Sequence, residues 1–371
     1  MKKSIFLAGL ALLALASCGK HEVMQNESRA IAFGTYAPKA TRAADGSVLT
    51  GTNFAANATI NVYAWNTGEN AFAEGTTAPN FMKNDGGTGN GTVVTLSDTP
   101  ATKTSSDYSP VKFWPGDEAS NNLSFIGFYP SGTSAYTLTW TNAGNVVEGS
   151  ITVPAASASQ VDFMASDVVN DKDYSTSDGG NVPLKFHHLM SQVLVKVQTD
   201  SITDAFLNDT ESGVTSVTVS ALTFTNILDK GKLTTDYAGG TTTHTMTSDG
   251  ATTQTYTFSP AAALDLKGTS TAAKYIPSGN AAAATGDAFI LVPQTLAAGA
   301  QKVSVTYKIT YDDGTDSGDQ TVTKDLTTAA VSEWEQNQKI VYTFVVGLHP
   351  ITFTADITAD WTETTVDPIT F

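Results

Sequence analysis

The sequence has 371 residues and carries 36 acidic against 20 basic side chains, a formal net charge of −16. That charge argues against nucleic acid as a partner, because binding it needs a basic face. Apolar residues make up 41% and charged residues 15%, which allows folded domains, and Cys18 as the only cysteine rules out an intrachain disulfide or a thiolate metal cluster.

The first segment reads as a leader. Lys2 and Lys3 precede an apolar run, Ile5 to Ala16, too short for the roughly 20 residues of a membrane span and right for the core of a signal peptide. The run ends in Leu15-Ala16-Ser17-Cys18, a lipobox. Small residues suit a peptidase pocket, and a thiol is nucleophilic enough to accept a diacylglyceryl group. Residues 1–17 are therefore the expected signal peptide and Cys18 the expected lipidation site. Its acyl chains would tie the precursor to the outer membrane, each buried CH₂ adding about 0.8 kcal/mol. Gly19 at the next position leaves the choice of leaflet open.

Residues 18–42 are polar and mixed, with one short apolar alternation at Ile31-Ala32-Phe33, and read as a lipidated pro-segment. Both arginines of the chain, Arg29 and Arg42, fall here; every later basic side chain is a lysine or histidine. An Arg-specific protease would find no site beyond residue 42. Cleavage after Arg42, with Ala43 as the new first residue, is the expectation, and Arg29 is the runner-up.

Residues 43–180 form a first block. Its clearest strands are Ile60–Trp65, Leu123–Tyr129, Tyr136–Trp140 and Ser150–Val153. Leu123–Tyr129 is apolar on both faces, as in a strand covered on two sides. Glycine and asparagine clusters such as 85–91 mark loops, and Asn170–Asn181 reads as a linker.

Residues 181–371 form the second block. Val303, Val305, Tyr307, Ile309 and Tyr311 alternate with polar neighbours, residues 312–319 supply a turn, and Val322–Leu326 returns, which predicts a hairpin. Similar strands are Val193–Val197, Val217–Phe224, Ile340–Val346 and Ile351–Ile357; the alternation slips between Ala221 and Leu222, which predicts a bulge. Ser201–Leu207 suits one short helical turn. Many short strands between turns predict an all-β fold of β-sandwiches, here two.

Enzymatic motifs are missing: there is no phosphate-binding Gly-Lys-Ser/Thr loop, no His-Glu-x-x-His and no Gly-x-Ser-x-Gly elbow. No catalytic residue, metal or cofactor is expected. His187 and His188, at the start of an apolar strand spanning Phe186–Val197, read as structural, with His244 and His349 isolated. Asp171 to Asp178 superficially resembles a calcium loop, but Val182 stands where a bidentate Glu would close it. Asp312, Asp313, Asp316 and Asp319 group at a hairpin tip. Both loops read as solvated turn acids, with calcium left open. Of Trp65, Trp114, Trp140, Trp334 and Trp361, most suit core packing better than a sugar-stacking platform.

Several segments in order resemble the fimbrillin family of Bacteroidetes, the FimA/Mfa-like type V pilins. These are the lipobox, Ile31–Tyr36, Ala40-Thr41-Arg42-Ala43, Phe113-Trp114-Pro115, Leu123–Pro130, Asp162–Ala165, Phe186–Val197, Trp334, Tyr342–Phe344 and Trp361. The resemblance implies two tandem transthyretin-like β-sandwiches and export as a lipoprotein. It further implies removal of the first strand after Arg42 and head-to-tail strand exchange with other fimbrial subunits. Stalk, tip and anchor roles differ within the family, and an apparent cleavage arginine leans toward stalk or tip. The product would be a cell-surface fimbria serving adhesion, with a host or bacterial surface glycan or protein as a possible receptor.

Physical reasoning agrees with such a mechanism. A sandwich lacking one strand exposes unpaired N–H and C=O groups beside an apolar groove. A strand from another subunit satisfies both, and a head-to-tail contact propagates into a filament. Residues 356–371 suit the donor strand and an ordinary edge strand equally well. A glycan-binding or adhesive surface lipoprotein that never polymerises is the alternative.

Overall fold

The computed structural model describes residues 29–36, 41–42, 48–49, 54, 57–72, 78–83, 91–96, 106–116, 121–131, 136–140, 147–177, 180–284, 287–328, 330–347 and 352–358. Cys18, Ala43, His349 and Trp361 lie outside them.

Threonine, valine and aromatic residues dominate segments that alternate between covered and open positions, and these form strands. In chain order the first are β1 (Ala32–Tyr36), β2 (Thr41–Arg42), β3 (Val48–Leu49), β4 (Thr59–Gly68), β5 (Thr92–Leu96), β6 (Ser106–Asp107) and β7 (Asn122–Tyr129). Then come β8 (Tyr136–Trp140), β9 (Val147–Thr152), β10 (Met164–Ser166), β11 (Val169–Lys172), β12 (Asn181–His188) and β13 (Ser191–Thr199). The helix α1 (Ser201–Asn208) is followed by β14 (Val214–Leu228), β15 (Lys230–Ala238), β16 (Thr241–Ser248), β17 (Thr253–Phe258), β18 (Leu264–Asp265) and β19 (Lys274–Ile276). The last are β20 (Phe289–Leu291), β21 (Gln294–Thr295), β22 (Lys302–Tyr311), β23 (Gln320–Asp325), β24 (Glu333–Trp334), β25 (Lys339–Val346) and β26 (Thr352–Thr358).

Four larger sheets carry the fold. The first runs β1-β12-β10-β7-β4-β5-β6, with β11 also on β7. The others run β16-β15-β9-β8; β17-β14-β22-β23 with β18 on β14; and β19-β13-β25-β26 with β20 on β13. The architecture is all-β. The hairpin predicted at residues 303–326 is β22–β23, and the predicted bulge falls between Val219 and Ala221 where β14 meets β22. Ser201–Leu207 is helical as expected, because the Asp200 side chain accepts the Thr203 amide at 2.6 Å and caps the first turn.

Two expectations need correction. Phe186–Val197 is two strands: β12 lies in the first sheet and β13 in the fourth, with Leu189 and Met190 between them. The Leu189 amide donates to the Phe163 carbonyl at the turn, and both side chains are buried, so hydropathy hides the break. Asn170–Asn181 is no linker either. β11 pairs with β7, and the Asp171 carboxylate accepts the Phe72 amide at 2.7 Å, which ties this stretch into the first sheet.

Pairing also crosses between the two blocks. β9 lies against β15 with Val147 opposite Thr235, so the hairpin β8–β9 extends a sheet begun by residues 230–248. One buried cluster draws only on residues 31–186 and includes Phe33, Tyr108, Trp114, Phe125 and Phe186. A larger one joins Tyr63, Trp65 and Phe128 to Phe224, Trp334 and Tyr342.

Candidate functional site

The segment ahead of Arg42 is part of the first sheet. β1 precedes that arginine, where the family resemblance implies a removable first strand, and Ile31 and Phe33 are buried. β1 runs parallel to β12, from Ala32 opposite Asn181 to Tyr36 opposite Lys185. All other ladders of this sheet are antiparallel. Parallel pairing is slightly weaker per residue, and a parallel neighbour cannot arrive by a tight hairpin.

The residues just before β1 bond to the opposite side. The Ile31 amide donates to the Lys112 carbonyl at 3.0 Å and the Trp114 amide to the Arg29 carbonyl at 2.9 Å. Ala30 forms an antiparallel bridge with Phe113, and the Tyr108 hydroxyl donates to the Ile31 carbonyl at 2.9 Å. Residues 29–36 therefore span from the 112–114 segment to β12 and close that side of the sheet.

Side chains complete the seat. Phe33 is wholly buried and meets Tyr108 and Phe125 edge to face, with ring centroids 5.8 and 5.9 Å away. Trp114 Nε1 and the Ala32 amide both donate to the Gly180 carbonyl, at 3.1 and 3.0 Å. Gly180 has φ +87°, and a Cβ there would stand 3.1 Å from the Ala30 carbonyl oxygen, so glycine suits this approach on both counts. Burying Ile31 and Phe33 is worth about 1.5–3 kcal/mol each. The motif Phe113-Trp114-Pro115 signalled part of this seat in the sequence; Tyr108 and Gly180 gave no signal of their own.

The two arginines stand in different surroundings. Arg29 Nη2 donates to the Pro115 carbonyl at 3.1 Å, and its guanidinium lies 4.8 Å from the centre of the Tyr174 ring. Its own carbonyl is held by Trp114. Arg42 ends the two-residue strand β2 and lies opposite Val48 of β3. Cys18 and Ala43 lie outside the described residues, so neither lipidation nor the new N-terminus has a described geometry.

The three described histidines are structural pieces. His188 Nδ1 and Asp162 Oδ2 are 2.7 Å apart with both side chains fully buried, and burial pushes the Asp162 carboxyl up while His188 pulls it down. His187 Nε2 lies 2.9 Å from Asp167 Oδ1, and His244 Nδ1 lies 2.9 Å from the Thr235 hydroxyl. The acidic loops satisfy themselves. Asp173 accepts from Ser175 and Thr176, Asp313 from Thr315, and Asp316 from the Gly318 amide. Among the described residues no three His, Cys, Asp or Glu side chains are grouped to hold a metal ion. Trp65, Trp114 and Trp334 are buried, which suits packing and not sugar stacking.

The Fimbrillin-like family profile matches residues 41–361. The chain belongs to the fimbrillin-like family. It is thus a non-enzymatic fimbrial subunit, a surface-exposed lipoprotein of the outer membrane. Among solved structures it is similar to a fimbrial protein of Bacteroides vulgatus, with 18% identity, a TM-score of 0.57, and 90% of this fimbrillin and all of that chain covered. It is also similar to a candidate cell adhesion protein of Bacteroides uniformis, with 17% identity, a TM-score of 0.50, and 90% and 98% covered. At these identities the likeness is one of fold. No curated protein sequence matches this fimbrillin.

Proposed function

We propose that this fimbrillin is a stalk or tip subunit that polymerises by strand exchange after proteolysis at Arg42. The observation that carries the reading is β1, which pairs in parallel in an otherwise antiparallel first sheet, seated between β12 and residues 112–114 and lying ahead of Arg42. Cleavage between Arg42 and Ala43 frees that strand from the rest of the chain. Its departure leaves a row of unpaired backbone groups on β12 and an apolar slot where Ile31 and Phe33 sat. An extended strand from a neighbouring subunit satisfies both, with alternate apolar side chains in the slot. Because donor and acceptor are different surfaces, the contact repeats head to tail.

Lipidation at Cys18 holds the precursor at the outer membrane until the cut. The separate cluster formed by residues 31–186 supports two tandem transthyretin-like sandwiches, divided at about residue 180, although β12 serves the first sheet. Adhesion follows from display of such a fibre at the cell surface. The Bacteroides uniformis likeness keeps a non-polymerising adhesin as the second reading.

Electron microscopy of purified precursor before and after an Arg-specific protease tests the proposal. Filaments are expected only after the cut. Filaments from uncut precursor, or cut protein that stays monomeric, would overturn it.

A further inference from the structure

The fourth sheet carries a pocket of about 430 Å³. Its lining is Lys196 of β13, Lys339 of β25, Tyr275 of β19 and Ala281, Ala282 and Ala283 of the loop that follows. Register places the two lysines on one face. Lys339 lies opposite Gln192, and Gln192 and Lys196 are an even number of residues apart on one strand. Four residues of strand separate their backbones by about 13 Å.

The wall is built, not incidental. Asp287 is 1% exposed and its carboxylate accepts the Ser278 amide and hydroxyl, each at 2.8 Å, and the Ala284 amide at 2.5 Å. The Tyr275 amide donates to the Asn280 carbonyl and the Gly279 amide to the Tyr275 carbonyl, both at 2.7 Å. These bonds fix both ends of the loop that carries the three alanines. Tyr275, 2% exposed, forms the floor, and Lys196 Nζ stands 4.6 Å from the centre of its ring. That contact positions the ammonium but occupies none of its three donors. Lys196 makes no hydrogen bond or ion pair among the described residues.

The pocket reverses the sign of the molecule. In a chain with 36 acidic and 20 basic side chains, the lining holds, among the described residues, two lysines and no carboxylate. We propose that it binds an anionic saccharide, a sugar-sized ligand bearing a carboxylate or sulfate. The volume lies within the range of small-ligand sites, roughly 300–1,000 Å³, and a bare inorganic ion would leave most of it empty. Lys196 takes the acid group, while the alanine methyls face the C–H side of the sugar ring. This assignment does not rest on the strand-exchange reading: its residues lie outside the first sheet, and uncut protein, with β26 paired to Lys339 through Thr358, carries the whole pocket.

Calorimetric titration of the full chain at low salt with glucuronic acid, glucose 6-sulfate and glucose tests it. One or both acids are expected to bind at one site per chain, and which of them binds separates carboxylate from sulfate. Glucose is expected to bind at least tenfold more weakly. Lys196→Gln and the pocket-filling Ala282→Leu are each expected to weaken binding of the acid at least tenfold, with an unchanged thermal midpoint showing that the fold is intact. No binding of either acid, equal binding of glucose, or undiminished binding by both variants would overturn the assignment.

Discussion

Phe33 and Phe125 meet with their rings nearly perpendicular, centroids 5.9 Å apart, one from a strand ahead of Arg42 and the other from the middle of the first sheet. The segment that the proposed cut would release therefore carries part of the core. Replacing Phe33 with alanine removes a wholly buried ring and is expected to cost about 3–5 kcal/mol. Urea unfolding of uncut precursor reads that loss. An unchanged midpoint would mean that β1 contributes nothing to the fold, and the strand-exchange reading would fail with it.

Proteolysis is expected to distinguish the two arginines. The Arg29 carbonyl and guanidinium are both engaged, whereas β2 holds Arg42 in a two-residue ladder. Limited digestion of folded precursor with an Arg-specific protease should give Ala43 as the new first residue, and Arg42→Lys should block it. A dominant product beginning at Ala30 would refute this ordering.

Lipidation is tested at the other end of the pro-segment. Cys18→Ser is expected to leave an unlipidated form that partitions into the aqueous phase after detergent extraction. An N-terminal wild-type peptide without acyl mass would contradict the lipobox reading.

Facing was more legible in the sequence than partnership. The alternation of residues 303–311 fixed β22 and its hairpin, and the two-sided apolar run Leu123–Tyr129 is buried almost throughout. Alternation says which side of a strand is covered but not which strand lies beside it. So Ile31-Ala32-Phe33 revealed an apolar pair without revealing that β12, some 150 residues later, receives it. The break at Leu189-Met190 was hidden because the chain changes sheets while remaining buried. The anion pocket was equally silent, since it unites strands β13, β19 and β25 through register alone.

Acid is expected to weaken the fold through His244. Burial first, and then the neighbouring His187, lower its pKa from the ordinary 6.5 to about 4, while Asp167 and the Ser166 backbone pull the other way. The folded state therefore prefers the neutral ring, and the unfolded chain binds more protons between those two values. Its contribution to stability is present above pH 6.5 and declines as pH falls toward 4, by on the order of 3 kcal/mol in all. Denaturation midpoints measured across that range should fall less steeply in His244→Gln. Parallel pH profiles for the two proteins would exclude His244 as the source.

The final prediction concerns the donor. β26 is an edge strand on β25, with Ile340 opposite Ile357 and Lys339 opposite Thr358, and Ala355 is buried beneath it. Residues 356–358 thus sit in their own sheet, while residues 359–371 lie outside the described structure. An edge strand leaves its sheet by breaking one ladder, here the one with β25, so β26 and the residues after it are the least costly donor. Its sequence offers Ile357, Ala359 and Trp361 on one face, with Val366, Ile369 and Phe371 beyond. Proline at 368 interrupts regular pairing near the end, since it has no N–H to donate. Deleting residues 359–371 leaves β26 in place and is expected to abolish filaments after cleavage, with the β-sheet circular dichroism of the monomer retained. Deleting residues 356–371 should abolish them too, but with a lower thermal midpoint because part of β26 is lost. If both truncated proteins still assemble after the cut at Arg42, the donor strand lies elsewhere in the chain.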